Sequence, residues 1–434
     1  MVGPDRASIK QGQGSNSGQI RRFNERVILA ALRRMGRASK ADLARIASLT
    51  NNAAGVIVQE LEKAGLVSVL GKKRNGGPGQ PPTMLALNPT GAYAIGIRLD
   101  RGTIKTVLVD FTGAALAQYV HTLDLPSPQD TVALLAEDIS KLLERLAPDR
   151  RNRLVGIGLA TPYNLGAWLE LLSLPAATFR CWEDFDLGAA ISEATGLEVV
   201  IENDGAAATI AELFYGQGRR IDDFLYLFVG PAIGGGFVSD GEYYRGSNGN
   251  AGDIGMIPVR PSSLPSAPST DKTWDILLSR ASVNSLVRHL RWSGQVITGL
   301  DDIEPAASAA PSATAEWIDD CVEALAPATL AACSILDVAA VVLDGDLPPA
   351  VLEDLASRLE RRMAAEAAES RPPPPLVLGT LGKDAGAIGA ATLPLHLNFS
   401  PHAAILTRGD ARARLNPNGR TEADRSTLGE AING

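Results

Sequence analysis

Residues 201–240 read IENDGAAATIAELFYGQGRRIDDFLYLFVGPAIGGGFVSD. An apolar run closes on a polar trio, Glu202, Asn203 and Asp204, and small or apolar residues then recur at helical spacing from Ala206 to Leu213. Two β-prone runs follow, joined by the glycine-rich link GPAIGGG (230–236). The pattern predicts a strand over 198–202, a helix over 204–216 and strands over 223–229 and 233–239, which is α/β order. The same alternation extends in both directions. Before it stand AYAIGIRLD (92–100) and TIKTVLVDFTG (103–113), a helix over 130–147, a strand over 154–160 and a helix over 187–195. After it come helices over 278–291 and 315–336, a strand over 338–345, a helix over 348–368, the strand LVLGTL (376–381) and the helix start KDAGAIGAA (383–391). RPSSLPSAPST (260–270) and EPAASAAPSA (304–313) read as loops. Two similar α/β halves are consistent with a duplicated architecture.

The first ninety residues obey different rules. Residues 1–20, rich in Gly, Ser, Gln and Asn, read as a disordered leader. A helix is expected from Phe23 to Met35, a second after the cap Ser39 through Ile46, and a third from the cap Thr50 to Gly65. LVSVLGKKRNGGPGQPPTMLALNP (66–89) then places two short apolar runs around a basic Gly/Pro loop, as in a hairpin with a long tip. Three helices and a basic hairpin form a winged helix-turn-helix, whose third helix would enter a major groove. Asn51, Asn52 and Gln59 are the candidate base readers, since Asn and Gln match the adenine edge. Lys40, Arg45, Lys72, Lys73 and Arg74 are candidate phosphate contacts, and Gln80 a candidate minor-groove contact. The competing reading is a helical protein-interaction module with a solvated basic face. Gly55 and Val56 are unusual occupants of a recognition helix.

Charge separates the two regions. The whole chain of 434 residues carries −8, which argues against nucleic acid until it is divided. Residues 1–82 hold 14 Lys and Arg against 5 Asp and Glu, or +9, leaving −17 for the rest. Three scattered cysteines, Cys181, Cys321 and Cys333, exclude a disulfide framework and a paired-thiolate zinc site. With no signal-like leader and no apolar run of membrane length, a cytoplasmic protein is expected.

A winged helix followed by GGPGQPPTMLALNP, IENDGAAATIAE, GPAIGGGFVSDGEYYRGSNGNAGDIG and LVLGTLGKDAGAIGAA together resembles the ROK family of bacterial sugar kinases and sugar-responsive transcription factors, over residues 23–401. The resemblance implies an actin-like (ribonuclease H-like), two-lobed α/β domain that closes on a sugar. The expected organisation is a leader (1–20), a winged helix-turn-helix (21–88), a ROK sugar-binding domain (89–401) and a flexible tail (402–434). By the residues alone, GPAIGGG is open to a ligand-approach or a purely structural reading, and Asp204 to a crevice role or an N-cap role. The resemblance favours a sugar site at Asn203 and Asp204, the latter matching the kinases' general base.

Departures from the family pattern then point away from catalysis. Where the kinases carry an Asp followed by Gly-Gly-Thr for metal and phosphate, this chain has Arg98, Leu99, Asp100, Arg101, Gly102 and Thr103. The second phosphate element, Gly-Thr-Gly, becomes Gly230, Pro231, Ala232. Asp253 and Met256 replace the Glu and His of the zinc-site motif, and residues 260–270 supply Ser and Pro in place of thiolates. Asn250, Asp253 and Asp275 remain candidate sugar contacts. The family's Gly-Arg-Pro linker reads Gly79, Gln80, Pro81. The expectation is a non-enzymatic transcriptional regulator, a repressor of ROK type, without cofactor or metal, bound to a double-stranded DNA operator and to a sugar or polyol, homodimeric or tetrameric, and associated with the bacterial nucleoid when on DNA. A sugar kinase carrying a DNA-binding domain and a sugar-blind scaffold for a protein partner are the alternatives.

Overall fold

The computed structural model describes residues 17–72, 82–123, 125–162, 180–182, 185–369 and 371–401. The chain divides into two compact units, Met1–Gly91 with His396–Gly434, and Ala92–Leu395.

In the first unit, α1 (Ser17–Met35) buries Ile28, Leu29 and Leu32 along one stripe. Residues 17–20, assigned above to the leader, belong to this helix. Strand β1 (Ala38–Ser39) leads into α2 (Lys40–Ile46). Ser39 and Asp42 form a reciprocal capping box, with the Asp42 amide donating to Ser39 Oγ at 3.2 Å and the Ser39 amide to Asp42 Oδ2 at 3.1 Å. Helix α3 (Asn51–Lys63) starts at Thr50, whose Oγ1 accepts from the Ala53 amide at 3.2 Å. It ends where Gly65 takes φ 74°, a left-handed value that glycine adopts without penalty. Strands β2 (Val67–Lys72) and β3 (Thr83–Leu87) pair antiparallel, and the sheet order is β1-β3-β2. Lys73, Arg74 and Gln80, with the proposed tail from His402, lie outside the described residues.

The second unit holds two five-stranded sheets of one topology. The first comprises β4 (Tyr93–Leu99), β5 (Thr103–Asp110), β6 (Ala115–Thr122), β7 (Leu154–Thr161) and β8 (Val199–Asn203), in the order β6-β5-β4-β7-β8. The second comprises β9 (Phe224–Val229), β10 (Ile233–Ser239), β11 (Glu242–Tyr243), β14 (Ala340–Gly345) and β15 (Leu376–Leu378), in the order β11-β10-β9-β14-β15. Each order reads 3-2-1-4-5 within its own half, so the expected duplication is visible in the strand connections. Within the second half, between β11 and β14 in the chain, β12 (Pro258–Val259) pairs with β13 (Asp275–Ile276).

Alternation along the strands decides which helices cover which face. On β4, Tyr93, Ile95, Ile97 and Leu99 join a core with Leu135, Ile139 and Leu142 of α4 (Pro128–Glu144) and Leu187 and Ile191 of α5 (Leu187–Thr195). The opposite face of β4 carries Gly96 and Arg98. In the second sheet, Leu225, Leu227, Val229, Val341 and Leu343 form one core, and Phe224, Tyr226, Phe228 and Val342 the other, with Ala208 of α6 (Asp204–Tyr215). Further helices are α7 (Leu277–Arg280), α8 (Val283–Trp292), α9 (Ile303–Ala309), α10 (Pro311–Leu336), α11 (Pro349–Glu366) and α12 (Ala385–Phe399).

Two further expectations need correction, and one strand was missed. Residues 304–313 are mostly helical: α9 covers 303–309, and Pro311 opens α10 at a position where its missing N–H costs nothing. Residues 278–291 form two helices, because Ser282 caps a new one. Strand β6 was not anticipated; it pairs on one side with β5 only and leaves Leu116 and Val120 exposed.

Candidate functional site

The site is built where strands end. Strand β8 runs into α6 at Glu202, Asn203 and Asp204, and β4 ends at Arg98, Leu99 and Asp100. Carboxyl ends of strands in an open α/β sheet are where polar groups meet a crevice. The N-cap of α6 is Asn203, whose Oδ1 accepts from the Gly205 amide at 2.9 Å and the Ala206 amide at 3.4 Å. Asp204 is therefore the first helical residue and not the cap. Burial raises its pKa, the neighbouring Asp100 raises it further, and Arg98 and Arg101 act in the opposite direction.

Arg98 stands on the β4 face that turns away from the α4 and α5 core. Its Nη1 and Nη2 donate to the two carboxylate oxygens of Asp346, just past β14, at 3.1 and 2.8 Å. The guanidinium also lies 5.3 Å from the Phe228 ring centroid. Burial opposes its charge, but the Asp346 carboxylate outweighs that and holds Arg98 above its ordinary pKa. Lys105 of β5 pairs with Asp384 ahead of α12. Two ion pairs thus tie the first sheet to loops of the second half. Sequence reading flagged Arg98 as a substitution but had no signal for Asp346, which is 248 residues away.

The glycine run has a structural use. A Cβ at Gly236 would overlap Thr209 of α6, one at Gly252 would stand 2.6 Å from Gly236 Cα, and one at Gly205 would stand 2.8 Å from the Gly235 amide nitrogen. Helix α6 and the 246–252 loop both close on β10 backbone to backbone, so close approach is made by the protein itself. This brings Asn250 and Asp253 toward the same strand as Asn203 and Asp204. Asn250 Nδ2 donates to Asp253 Oδ2 at 2.8 Å, and Glu202 accepts from Arg245 Nε at 3.0 Å. Asp275 interacts elsewhere: it pairs with Val259 across β12 and β13, its Oδ1 accepts from the Ile276 amide at 2.8 Å, and its charge is felt by Arg288.

Behind this end of the second sheet are buried acids that sequence reading missed. Asp344 accepts from Tyr226 Oη at 3.1 Å and from the amides of Gly345 at 2.9 Å and Gly382 at 3.2 Å. Glu212 accepts from the amides of Gln217 at 2.7 Å and Thr380 at 3.2 Å. The loop 379–382 therefore spends two of its amides on internal carboxylates.

On the first unit, Lys40, Arg45, Asn51, Asn52 and Gln59 are all exposed, with Arg45 Nη2 donating to Asp42 at 2.9 Å. A Cβ at Gly55 would meet nothing within 4 Å. The Lys72 side chain lies outside the described residues.

Residues 94–396 match the ROK family model. The chain belongs to the ROK family. Among its ROK relatives, the xylose repressor of Bacillus spizizenii is 25% identical over 66% of this chain and 72% of its own. The glucokinase of Halalkalibacterium halodurans is 27% identical over 69% of this chain and 94% of its own. Among solved structures, a ROK family transcriptional regulator, a homologue of the E. coli MLC protein, is 20% identical with a TM-score of 0.63, over 90% of this chain and 99% of that one. That likeness is one of fold, a mixed α/β arrangement of ROK type.

The residues at the ROK zinc position do not suit zinc. Asp253 is bonded to Asn250, Met256 is partly exposed, and Ser262 Oγ donates to Asp320 at 2.8 Å. Among the described residues no helix is long and apolar enough to cross a membrane.

The buried carboxyls set a pH dependence. Glu202, Asp204, Glu212 and Asp344 are all held above the ordinary carboxylate range, first by burial. The folded chain binds their protons more readily than the unfolded chain, so the cost of ionising them is fully present above the folded pKa values. It is relieved as pH falls through those values toward the unfolded ones near about 4. Asp42 and Asp302, whose values are lowered by hydrogen bonds to Ser39 and Thr298, titrate below this window. The melting temperature is expected to rise as pH is lowered from about 8 to about 5. A flat or falling Tm in a buffered thermal scan would contradict the burial of these groups.

Proposed function

We propose that the chain is a sugar-responsive, DNA-binding transcriptional regulator of ROK type, a repressor of carbohydrate uptake or catabolism genes. The observation that carries the reading is the Arg98–Asp346 pair. The corner that the family's kinases keep for metal and phosphate is filled by a buried cation satisfied by the protein's own carboxylate. An arginine cannot ligate Mg²⁺, and phosphoryl transfer depends on that positioning. Support for DNA binding comes from the first unit, read as a winged helix-turn-helix: α2 and α3 form the turn-helix, β2 and β3 the wing. Asn51, Asn52 and Gln59 would read bases, Lys40, Arg45, Lys72, Lys73 and Arg74 would hold phosphates, and Gln80 would reach the minor groove. Asn203, Asp204, Asn250, Asp253 and Asp275 are the proposed contacts for a sugar or polyol. Ligand binding in the cleft would favour one arrangement of the two halves and so, by reciprocal coupling, one affinity for DNA. A palindromic operator requires two heads, hence a homodimer or tetramer.

Fluorescence anisotropy with DNA from the chain's own promoter region tests this. Asn51→Ala with Asn52→Ala is expected to weaken operator binding by about tenfold or more, the value of a lost base contact. Unchanged binding after removal of residues 1–88 would overturn the assignment. A sugar at 100 times its Kd should add about 2.7 kcal/mol to stability in a thermal-shift panel.

A second reading, a ROK sugar kinase with a DNA-binding head, draws on the glucokinase relative and on Asp204, a buried carboxyl raised toward the range of a proton acceptor. A coupled ADP-release assay across monosaccharides decides. Turnover that disappears in Asp204→Asn would establish the kinase.

A further inference from the structure

Strands β7 and β8 run parallel, and their paired residues change character at one rung. Ile157 stands beside Val199 and Leu159 beside Ile201, and all four belong to the core that α4 and α5 cover. The next rung on that face joins Thr161 to Asn203. Polar side chains thus replace apolar ones on both strands together, at the carboxyl ends where an open α/β sheet meets its crevice. The opposite face leaves no room for a ligand. A Cβ at Gly158 would overlap the Ala390 carbonyl of α12, Ala160 packs with Ala207 and Ala390, and a Cβ at Gly389 would overlap the Ala207 carbonyl of α6.

The polar rung holds hydrogen-bonding capacity that the fold does not use. Thr161 Oγ1 is buried and has no hydrogen-bond partner among the described residues. A buried hydroxyl left in that condition is destabilising, and most such groups in folded proteins are satisfied. Asn203 spends its Oδ1 on the Gly205 and Ala206 amides, which turns its Nδ2 donors away from the helix. Neighbouring strands lie about 4.8 Å apart, so the two side chains are within reach of adjacent groups on one small molecule.

We propose that Thr161 Oγ1 and Asn203 Nδ2 together bind a vicinal diol, one hydroxyl each, which makes Thr161 a specificity-determining residue of the sugar site. This deepens the sugar-responsive reading above and rests on it: the effector is a sugar or polyol with two adjacent free hydroxyls. Asn203 Nδ2 only donates, whereas Thr161 both donates and accepts, so each can hold a hydroxyl. An analogue lacking the hydroxyl at Thr161 strands that group again and is rejected. A purely structural threonine would instead be a β-branched stand-in for valine at the end of an apolar stripe.

The test is isothermal titration of the full chain with D-glucose, D-galactose, D-mannose, D-xylose, D-fructose and xylitol, then with the monodeoxy analogues of whichever binds. Thr161→Val keeps the branched shape and removes the hydroxyl, and Thr161→Ser keeps the hydroxyl. The unaltered chain is expected to reject one monodeoxy analogue by about tenfold or more, the factor that a single ordinary hydrogen bond supplies. Thr161→Val is expected to bind the full sugar about tenfold more weakly and to lose that one discrimination to within about twofold, while Thr161→Ser retains it. The melting temperature of ligand-free Thr161→Val is expected to stay the same or rise, because the orphan hydroxyl is gone. Equal affinity in the unaltered chain and Thr161→Val, or a loss spread evenly over all hydroxyl positions, overturns the proposal and leaves sugar binding standing. Silence of the unaltered chain across the whole panel is a different result, which overturns the sugar reading and this contact with it. Should Thr161→Val not fold, Thr161→Ala set against Thr161→Ser gives the same comparison.

Discussion

Asp346→Ala is expected to lower the unfolding free energy by about 3–5 kcal/mol, the cost of leaving a buried charge without its partner. Arg98 and Asp346 have side chains only 11% and 6% exposed, and both carboxylate oxygens are used by the guanidinium. Alanine would leave that guanidinium against Phe228 and the α12 backbone, where water cannot replace the lost acceptor. Replacing both partners with apolar residues of similar size is expected to recover most of the loss, since removing a pair is far cheaper than halving it. Urea denaturation of the two proteins measures both numbers. If Asp346→Ala costs under about 1 kcal/mol, the pair is solvated and screened in the manner of a surface bridge.

Gly158→Ala is expected to be at least as damaging, by about 3 kcal/mol or more, because the added methyl would occupy the Ala390 carbonyl and stand 3.2 Å from Pro394 Cδ. Neither obstacle is a flexible side-chain end: one is helix backbone, the other a proline ring. Relief requires α12 to move off the first sheet, which would also lift Gly389 from Ala207. Gly102→Ala is the control, since a Cβ there meets nothing within 4 Å, and its cost should stay within about 0.5 kcal/mol. Comparable melting temperatures for the two variants would show that the helix is not seated as described.

The elements that were legible in the sequence are those with local causes. Ser39 and Thr50 are caps because a hydroxyl two or three residues ahead of an apolar stripe satisfies helix amides, and both do so. Strand β6 escaped because ALAQYVHT lies at a sheet edge, with small and polar residues where a covered strand would be apolar. Residues 304–313 were read as a loop from their Pro and Ser, but Pro305 and Pro311 fall in the first turns of two helices, where proline is tolerated. At the site, Asn203 and Asp204 were found from their place at a strand end, yet their division of labour depended on backbone geometry that composition does not encode. Asp346 and Arg26 were invisible for a different reason. Their partners lie 248 and 371 residues away, and no periodicity links such positions.

That last separation governs how the protein is made. The Leu397 and Ser400 carbonyls that accept from Arg26 of α1 are synthesised 371 and 374 positions after it, so a nascent chain can form α1, α2 and α3 early but cannot complete the first unit until all of the second has been synthesised. Long-range closure of this kind makes assembly slow relative to local helix formation. It also means that truncated or stalled translation products carry an N-terminal head lacking its final clasp, which ties quality control of the head to successful synthesis of everything that follows it.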